Sequence, residues 1–164
     1  MKQIFESENI RFVEVSELLV KDYLILVNDY ENVNRYIGSK KKTYTEEQEI
    51  RWVQKKLAEN APVYSMIEKK TGEFIGNIEL MNVQDSSAEL GIAITADKQN
   101  LGYGTEAILA LTQYGLNQLG LDRIFLRTNP KNSRAINVYK KCGYHEYYRT
   151  EEHIYMEVTK QISA

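Results

Sequence analysis

Two glycines spaced one residue apart, Gly102 and Gly104, lie in the stretch Gln99-Asn100-Leu101-Gly102-Tyr103-Gly104-Thr105. Before it comes a strand-like run, Ala88 to Ile94, and after it a helical run, Thr105 to Leu119. A turn that leaves a strand and opens a helix suits an anion. The first N–H groups of a helix have no intrahelical partner, and the helix dipole places partial positive charge there. Glycines let a phosphate approach the main chain closely. Read alone, such a pair is also an ordinary turn. No Lys-Ser/Thr follows the glycines, which excludes a P-loop. Gly104 is followed by Thr105-Glu106-Ala107, so the dinucleotide fingerprint is absent as well.

Downstream stand Asn132, Ala135, Tyr139, Gly143 and Tyr144. Together the two motifs read Gln-x-x-Gly-x-Gly, helix, strand, Asn-x-x-Ala-x-x-x-Tyr-x-x-x-Gly-aromatic. From about Phe74 to Tyr144 this order and spacing resembles the GNAT superfamily of acyl-CoA N-acetyltransferases. The N-terminal part resembles, more loosely, the branch with ribosomal-protein N-terminal acetyltransferases. It carries Asn28-Asp29-x-Glu31-x-Val33-x-Arg35-Tyr36-Ile37 and Thr45-Glu46-Glu47-x-x-x-x-Trp52-Val53.

The resemblance implies transfer of an acetyl group from acetyl-CoA directly to a primary amine. The pyrophosphate is then expected on the N–H groups of Leu101, Gly102, Tyr103, Gly104 and Thr105, with Gln99 opening the motif. The pantetheine arm is expected along the backbone of the preceding strand, near Ile92 and Ile94, as an added strand would pair. Asn132 and Ala135 match the family's second cofactor motif; Asn132 also reads as a helix cap.

Acetylation of an amine needs three groups. A lysine-like amine, with a pKa near ~10.4, must lose a proton. The tetrahedral oxyanion needs N–H donors, which main-chain groups such as that of Ile94 can supply. The leaving thiolate needs a proton, and Tyr139 matches the family's tyrosine for that task. As a plain residue Tyr139 is one of twelve tyrosines and could be core.

For the base two carboxylates are candidates. Glu89 shares a strand face with the small residues Gly91 and Ala93, and Glu79 shares one with Asn77 and Met81. Either could relay a proton through water, and each also reads as an exposed strand carboxylate. Glu89 is the preferred candidate. His145 and His153 have no partners at metal-ligand spacing, so no metal is expected. Cys142, beside Gly143, reads as a packed thiol that direct transfer does not use.

The elements that must position these groups follow from periodicity. Ile10 to Val15 alternates as a first strand, and Glu17 to Val27 carries Leu19, Val20, Tyr23, Leu24 and Val27 at helical spacing. Thr45 and Gln48 have the form of a capping box, which starts a helix to about Asn60 with Ile50, Val53 and Leu57 inward. Val63–Glu68 and Phe74–Leu80 form a hairpin, and a polar loop, Asn82 to Ser87, precedes the strand Ala88–Ile94. The next helix has Ala107, Ile108, Leu111, Tyr114, Gly115 and Leu119 on its core stripe. A strand Arg123–Thr128, a helix ending at Gly143 and a closing hairpin from Tyr144 to Val158 complete the chain. Ser39-Lys40-Lys41-Lys42 is a basic, solvated loop.

The expected fold is mixed α/β in one domain over residues 1–164, with an antiparallel start and one parallel crossover through a helix. The resemblance implies a mostly antiparallel central sheet of six to seven strands. Its central strands would splay apart, and about four helices would flank it.

The chain has 164 residues and a net charge of −2. A domain of this size buries roughly 70% of its unfolded surface and needs no staple. Near-balanced charge argues against general nucleic-acid or membrane attraction. One cysteine, no apolar leader at Met1-Lys2-Gln3-Ile4 and no membrane-length run suggest a cytoplasmic protein. The family resemblance adds a possible homodimer. The acceptor is a protein N-terminus, a polyamine or a small amine; a pocket from the early helices and last hairpin would offer Asp29, Glu31, Tyr36, Glu46, Glu47, Trp52, Tyr147 and Glu151. The alternative is a module that binds acyl-CoA without turnover.

Overall fold

The computed structural model describes residues 1–34 and 41–161. Arg35, Tyr36 and Ile37 of the N-terminal motif, and Ser39 and Lys40 of the basic loop, lie outside the described residues. The described chain runs β1 (Gln3–Glu6), β2 (Ile10–Glu14), α1 (Val20–Asn28), α2 (Glu46–Ala58), β3 (Val63–Glu68), β4 (Phe74–Gln84), β5 (Ser87–Ile94), α3 (Tyr103–Asn117), β6 (Arg123–Thr128), α4 (Ser133–Lys141), β7 (His145–Arg149) and β8 (Ile154–Thr159). Hydrogen-bonded neighbours follow the order β1-β2-β3-β4-β5-β6-β8-β7. The β1–β4 run is antiparallel, β5 and β6 are parallel, and β8 is antiparallel to both β6 and β7. This is the mixed α/β pattern expected, with an eighth strand. The addition is β1, which shows no clean alternation. Phe5 stacks on Phe12 with ring centroids 4.2 Å apart, a contact made only once the hairpin has closed.

The residues form two compact units. One comprises Met1–Glu79 and Ile92–Tyr103; the other comprises Leu80–Gly91 and Gly104–Ala164.

In the first unit α1 and α2 pack over β2 and β3. Val13, Val20, Tyr23, Leu26, Val53, Val63 and Ile67 form the core, with Trp52 and Ala93 against it. The helix expected from Glu17 starts as a 3-10 turn, Glu17–Leu19, capped by the Ser16 hydroxyl, which accepts from Leu18 N–H. The box at Thr45 and Gln48 is closed in both directions. Such a cap is worth about 1 kcal/mol. Val53 is inward as expected, but Leu57 is exposed, because α2 has run past the core in its last turn. Tyr23 joins the layers: its hydroxyl accepts from Ser16 N–H at 3.2 Å and bonds the Ser65 hydroxyl at 2.6 Å. Gly76 of β4 is a close approach. A Cβ there would meet the Ala93 carbonyl oxygen at 2.1 Å, so only glycine fits beside this part of β5.

In the second unit β4 continues to Gln84, and the expected loop from Asn82 to Ser87 shrinks to two turn residues. Asp85 and Ser86 have φ of 51° and 61°, the left-handed pair of a tight hairpin. Asn82, Val83 and Gln84 are all exposed, so this end of β4 has no apolar alternation to betray it. On α3, Ala107, Ile108 and Leu111 are buried as expected. Leu119 falls beyond the helix end and is exposed, which corrects its assignment to the stripe. Gly115 lets Ile124 of β6 approach: an added Cβ would stand 2.9 Å from its Cδ1.

Candidate active site

The first unit holds the end of β5 and the glycine turn. The Gln99 side chain bonds to backbone. Its amide Nε2 donates to the Ile94 carbonyl at 2.9 Å and to the Asn32 carbonyl at 3.0 Å. That fixes the exit of β5 and the segment after α1 to the start of the turn. Asn100 and Gly102 have φ of 65° and 88°, and a Cβ on Gly102 would meet nothing within 4 Å. Leu101 is 59% exposed. At Gly102 the turn therefore leaves its backbone open to its surroundings. α3 starts at Tyr103, so its first-turn N–H groups include those of Tyr103, Gly104 and Thr105.

Beneath this turn is a cluster that the sequence did not disclose. Glu68, at the end of β3, is 2% exposed and accepts hydrogen bonds from Thr71, Tyr103 and Lys98. The Thr71 hydroxyl, then the Tyr103 hydroxyl, hold its carboxyl down to about 2 against the cost of burial, with Lys98 assisting. Lys98 also reaches Glu73 at 3.0 Å, and that hydrogen bond raises its pKa. Glu68 and Lys98 are thirty positions apart, and neither belongs to a recognisable pattern.

Glu79 also lies in the first unit, opposite Val63 of β3. Burial pushes its carboxyl above the ordinary range, and Lys56 opposes this only in part. Asn77, two residues earlier, accepts from the Ser65 hydroxyl at 2.7 Å, which continues the chain from Tyr23. Glu49 of α2 is another carboxyl raised by burial. The residue is 5% exposed, and its carboxyl has no hydrogen-bond partner or ion pair among the described residues.

The second unit holds the other motif. Asn132 caps α4, its side-chain oxygen accepting from Ala135 N–H at 3.2 Å. Tyr139, seven residues on, has its ring 6.4 Å from that of Tyr144. Burial raises the Tyr139 phenol, so it stays protonated at neutral pH. Tyr144 ties α4 to α3 through a 2.8 Å hydrogen bond with Thr112, and the buried Cys142 thiol lies 3.7 Å from the Thr105 carbonyl. Burial raises that thiol too, which makes it a poor nucleophile. Glu89 is committed to its neighbours: Asn82 donates to it at 3.2 Å, and Arg127 pairs with it at 3.4 Å. Among the described residues no group of three or more His, Cys, Asp or Glu is placed to hold a metal, and no helix is long and apolar enough to cross a membrane.

A family model for an acetyltransferase (GNAT) domain matches residues 10–145. The chain belongs to the GNAT acetyltransferase family. The uncharacterized N-acetyltransferase YnaD of Bacillus subtilis is 31% identical over 113 residues, 68% of this chain and 65% of that one. The spermidine N(1)-acetyltransferase of Vibrio cholerae is 29% identical over 56% of this chain and 54% of its own length. The matched segments thus span less than two thirds of these two GNAT relatives. A crystal structure of a Vibrio cholerae spermidine N-acetyltransferase with CoA and spermine has the same fold, with a TM-score of 0.84 at 19% identity over 93% of this chain and 96% of that one. So does a putative ribosomal-protein-serine acetyltransferase from Vibrio cholerae, with a TM-score of 0.75 at 16% identity over 98% and 100% of the two chains.

Proposed function

We propose that this GNAT chain transfers the acetyl group of acetyl-CoA directly to a primary amine. The observation that carries the reading is the left-handed turn at Asn100–Gly102, with open backbone at Gly102, which opens straight into the first turn of α3. Leu101, Gly102, Tyr103, Gly104 and Thr105 would bind the pyrophosphate through their N–H groups. Ile92 and Ile94 would pair with the pantetheine amides, and Gln99 would hold the Ile94 peptide in place rather than touch the donor. Asn132 and Ala135 would fix the start of α4. Tyr139 would give its proton to the departing thiolate.

Glu79 replaces Glu89 as the preferred base. An amine arrives as an ammonium ion, and a carboxylate raised by burial, as Glu79 is, is suited to accept its proton directly or through water, whereas Glu89 is occupied by Asn82 and Arg127. The acceptor we infer is a small cationic amine of the polyamine class. Three carboxyls on α1, α2 and β4, the buried Glu49 and the half-buried Asp22 and Glu79, have pKa values raised by desolvation. A polycationic ligand would relieve that cost. The spermidine acetyltransferase among the sequence relatives agrees with this acceptor class.

The test is release of free CoA from acetyl-CoA across polyamines, aminoglycosides, amino acids and short peptides. Release with polyamines ahead of peptides supports the reading. Release with peptides alone keeps the transferase and removes the polyamine. Confirmed acetyl-CoA binding without release for any amine would favour the non-catalytic module.

A further inference from the structure

The tip of the glycine turn has no packing of its own. Gly102 has open space where a Cβ would be, Leu101 is exposed, and two of its three residues, Asn100 and Gly102, adopt left-handed backbone. A turn of this kind keeps one shape only if its ends are held. Both ends are held by the same carboxylate. Lys98, the residue before the turn opens at Gln99, places Nζ 3.2 Å from Glu68 Oε1. Tyr103, the residue after Gly102, donates its hydroxyl to Glu68 Oε2. Thr71 supplies a third donor, and Glu73 takes a second hydrogen of Lys98.

A nearly buried glutamate is costly to desolvate and is tolerated when its oxygens are fully bonded. Apolar residues would fill the same space without that cost. What they would not do is fix two chain positions five residues apart to one point with directional bonds. The Glu68 carboxylate therefore acts as a clamp on the turn, and Lys98 is half of its grip.

We propose that Glu68 and Lys98 are positioning residues for the pyrophosphate of the donor: they hold the turn at 99–103 in the shape that aims its N–H groups at one anion. The inference rests on the reading of the turn as the donor's phosphate site. Both side chains are nearly buried and bonded within the protein, so both act through the backbone they restrain.

The experiment compares two donors, acetyl-CoA and S-acetylpantetheine, which carries the same thioester and arm without the pyrophosphate. Glu68→Gln and Lys98→Met are expected to raise the KM for acetyl-CoA by about tenfold and leave kcat within about twofold, the pattern of lost uniform binding. Constants for S-acetylpantetheine should stay unchanged. Lys98→Arg should recover most of the acetyl-CoA affinity and serves as the third variant where the others fold poorly. A proportional loss with both donors would make the cluster a purely structural feature, and an unchanged KM for acetyl-CoA in folded variants would overturn the clamp. Wild-type protein that neither binds CoA nor prefers acetyl-CoA to S-acetylpantetheine would instead remove the phosphate-site reading itself.

Discussion

Arg127 of β6 holds its Nε 3.4 Å from a carboxylate oxygen of Glu89 on the neighbouring parallel strand β5. That pairing, with the Asn82 amide at 3.2 Å, occupies the Glu89 carboxylate and turns it to its own neighbours. Glu79 has no such partner among the described residues, and burial raises its carboxyl. We expect Glu79→Gln to lower kcat/KM by roughly 10- to 100-fold, the size of a lost general base. The acid limb of the pH–rate profile should flatten. Glu89→Gln should leave that limb in place. The reverse pattern would return the base to Glu89.

Tyr139 is the proposed acid. Its phenol is raised by burial, with a smaller push from Cys142, and remains protonated across the neutral range. Tyr139→Phe should therefore reduce kcat at least ~10-fold and leave acetyl-CoA affinity nearly unchanged, as loss of a group that acts only in the transition state requires. Steady-state turnover together with calorimetric CoA binding checks both halves. Unchanged turnover would leave Tyr139 a packing residue.

Glu49 has a folded-state carboxyl raised by burial. The folded protein therefore binds its proton more readily than the unfolded chain does, and stability falls as pH rises from the unfolded carboxylate pKa to the raised one. Above that window the loss persists. Glu49→Gln should melt at a higher temperature than wild type near pH 7, and the gain should vanish below about pH 4, where the native residue is neutral. A Tm at or below wild type at neutral pH would mean that the carboxylate is stabilised by a contact not found among the described residues.

Much of this architecture was legible because its causes are local. The Thr45 box needs only Thr45 and Gln48, and the turn after β5 needs glycine where φ reaches 88°. The Asn132 cap and the parallel β5–β6 pairing also followed from nearby residues and from the helix between them. Long-range contacts were not legible. Nothing near Glu89 announces Arg127, nothing near Glu68 announces Lys98, and β1 depends on Phe5 finding Phe12. Helical spacing gave Leu57 and Leu119 inward positions because it does not know where a helix leaves its core.

Direct transfer is the central claim, and labelled acetyl follows it from donor to product. Wild-type protein would be incubated with acetyl-CoA labelled in the acetyl group and with spermidine, and the amine, the acetate and the protein would each be resolved by mass spectrometry. The account predicts one labelled acetyl on amine nitrogen for each CoA released, with none on Cys142 or elsewhere on the chain. Label accumulating as free acetate, or held on the protein as a thioester, would contradict it.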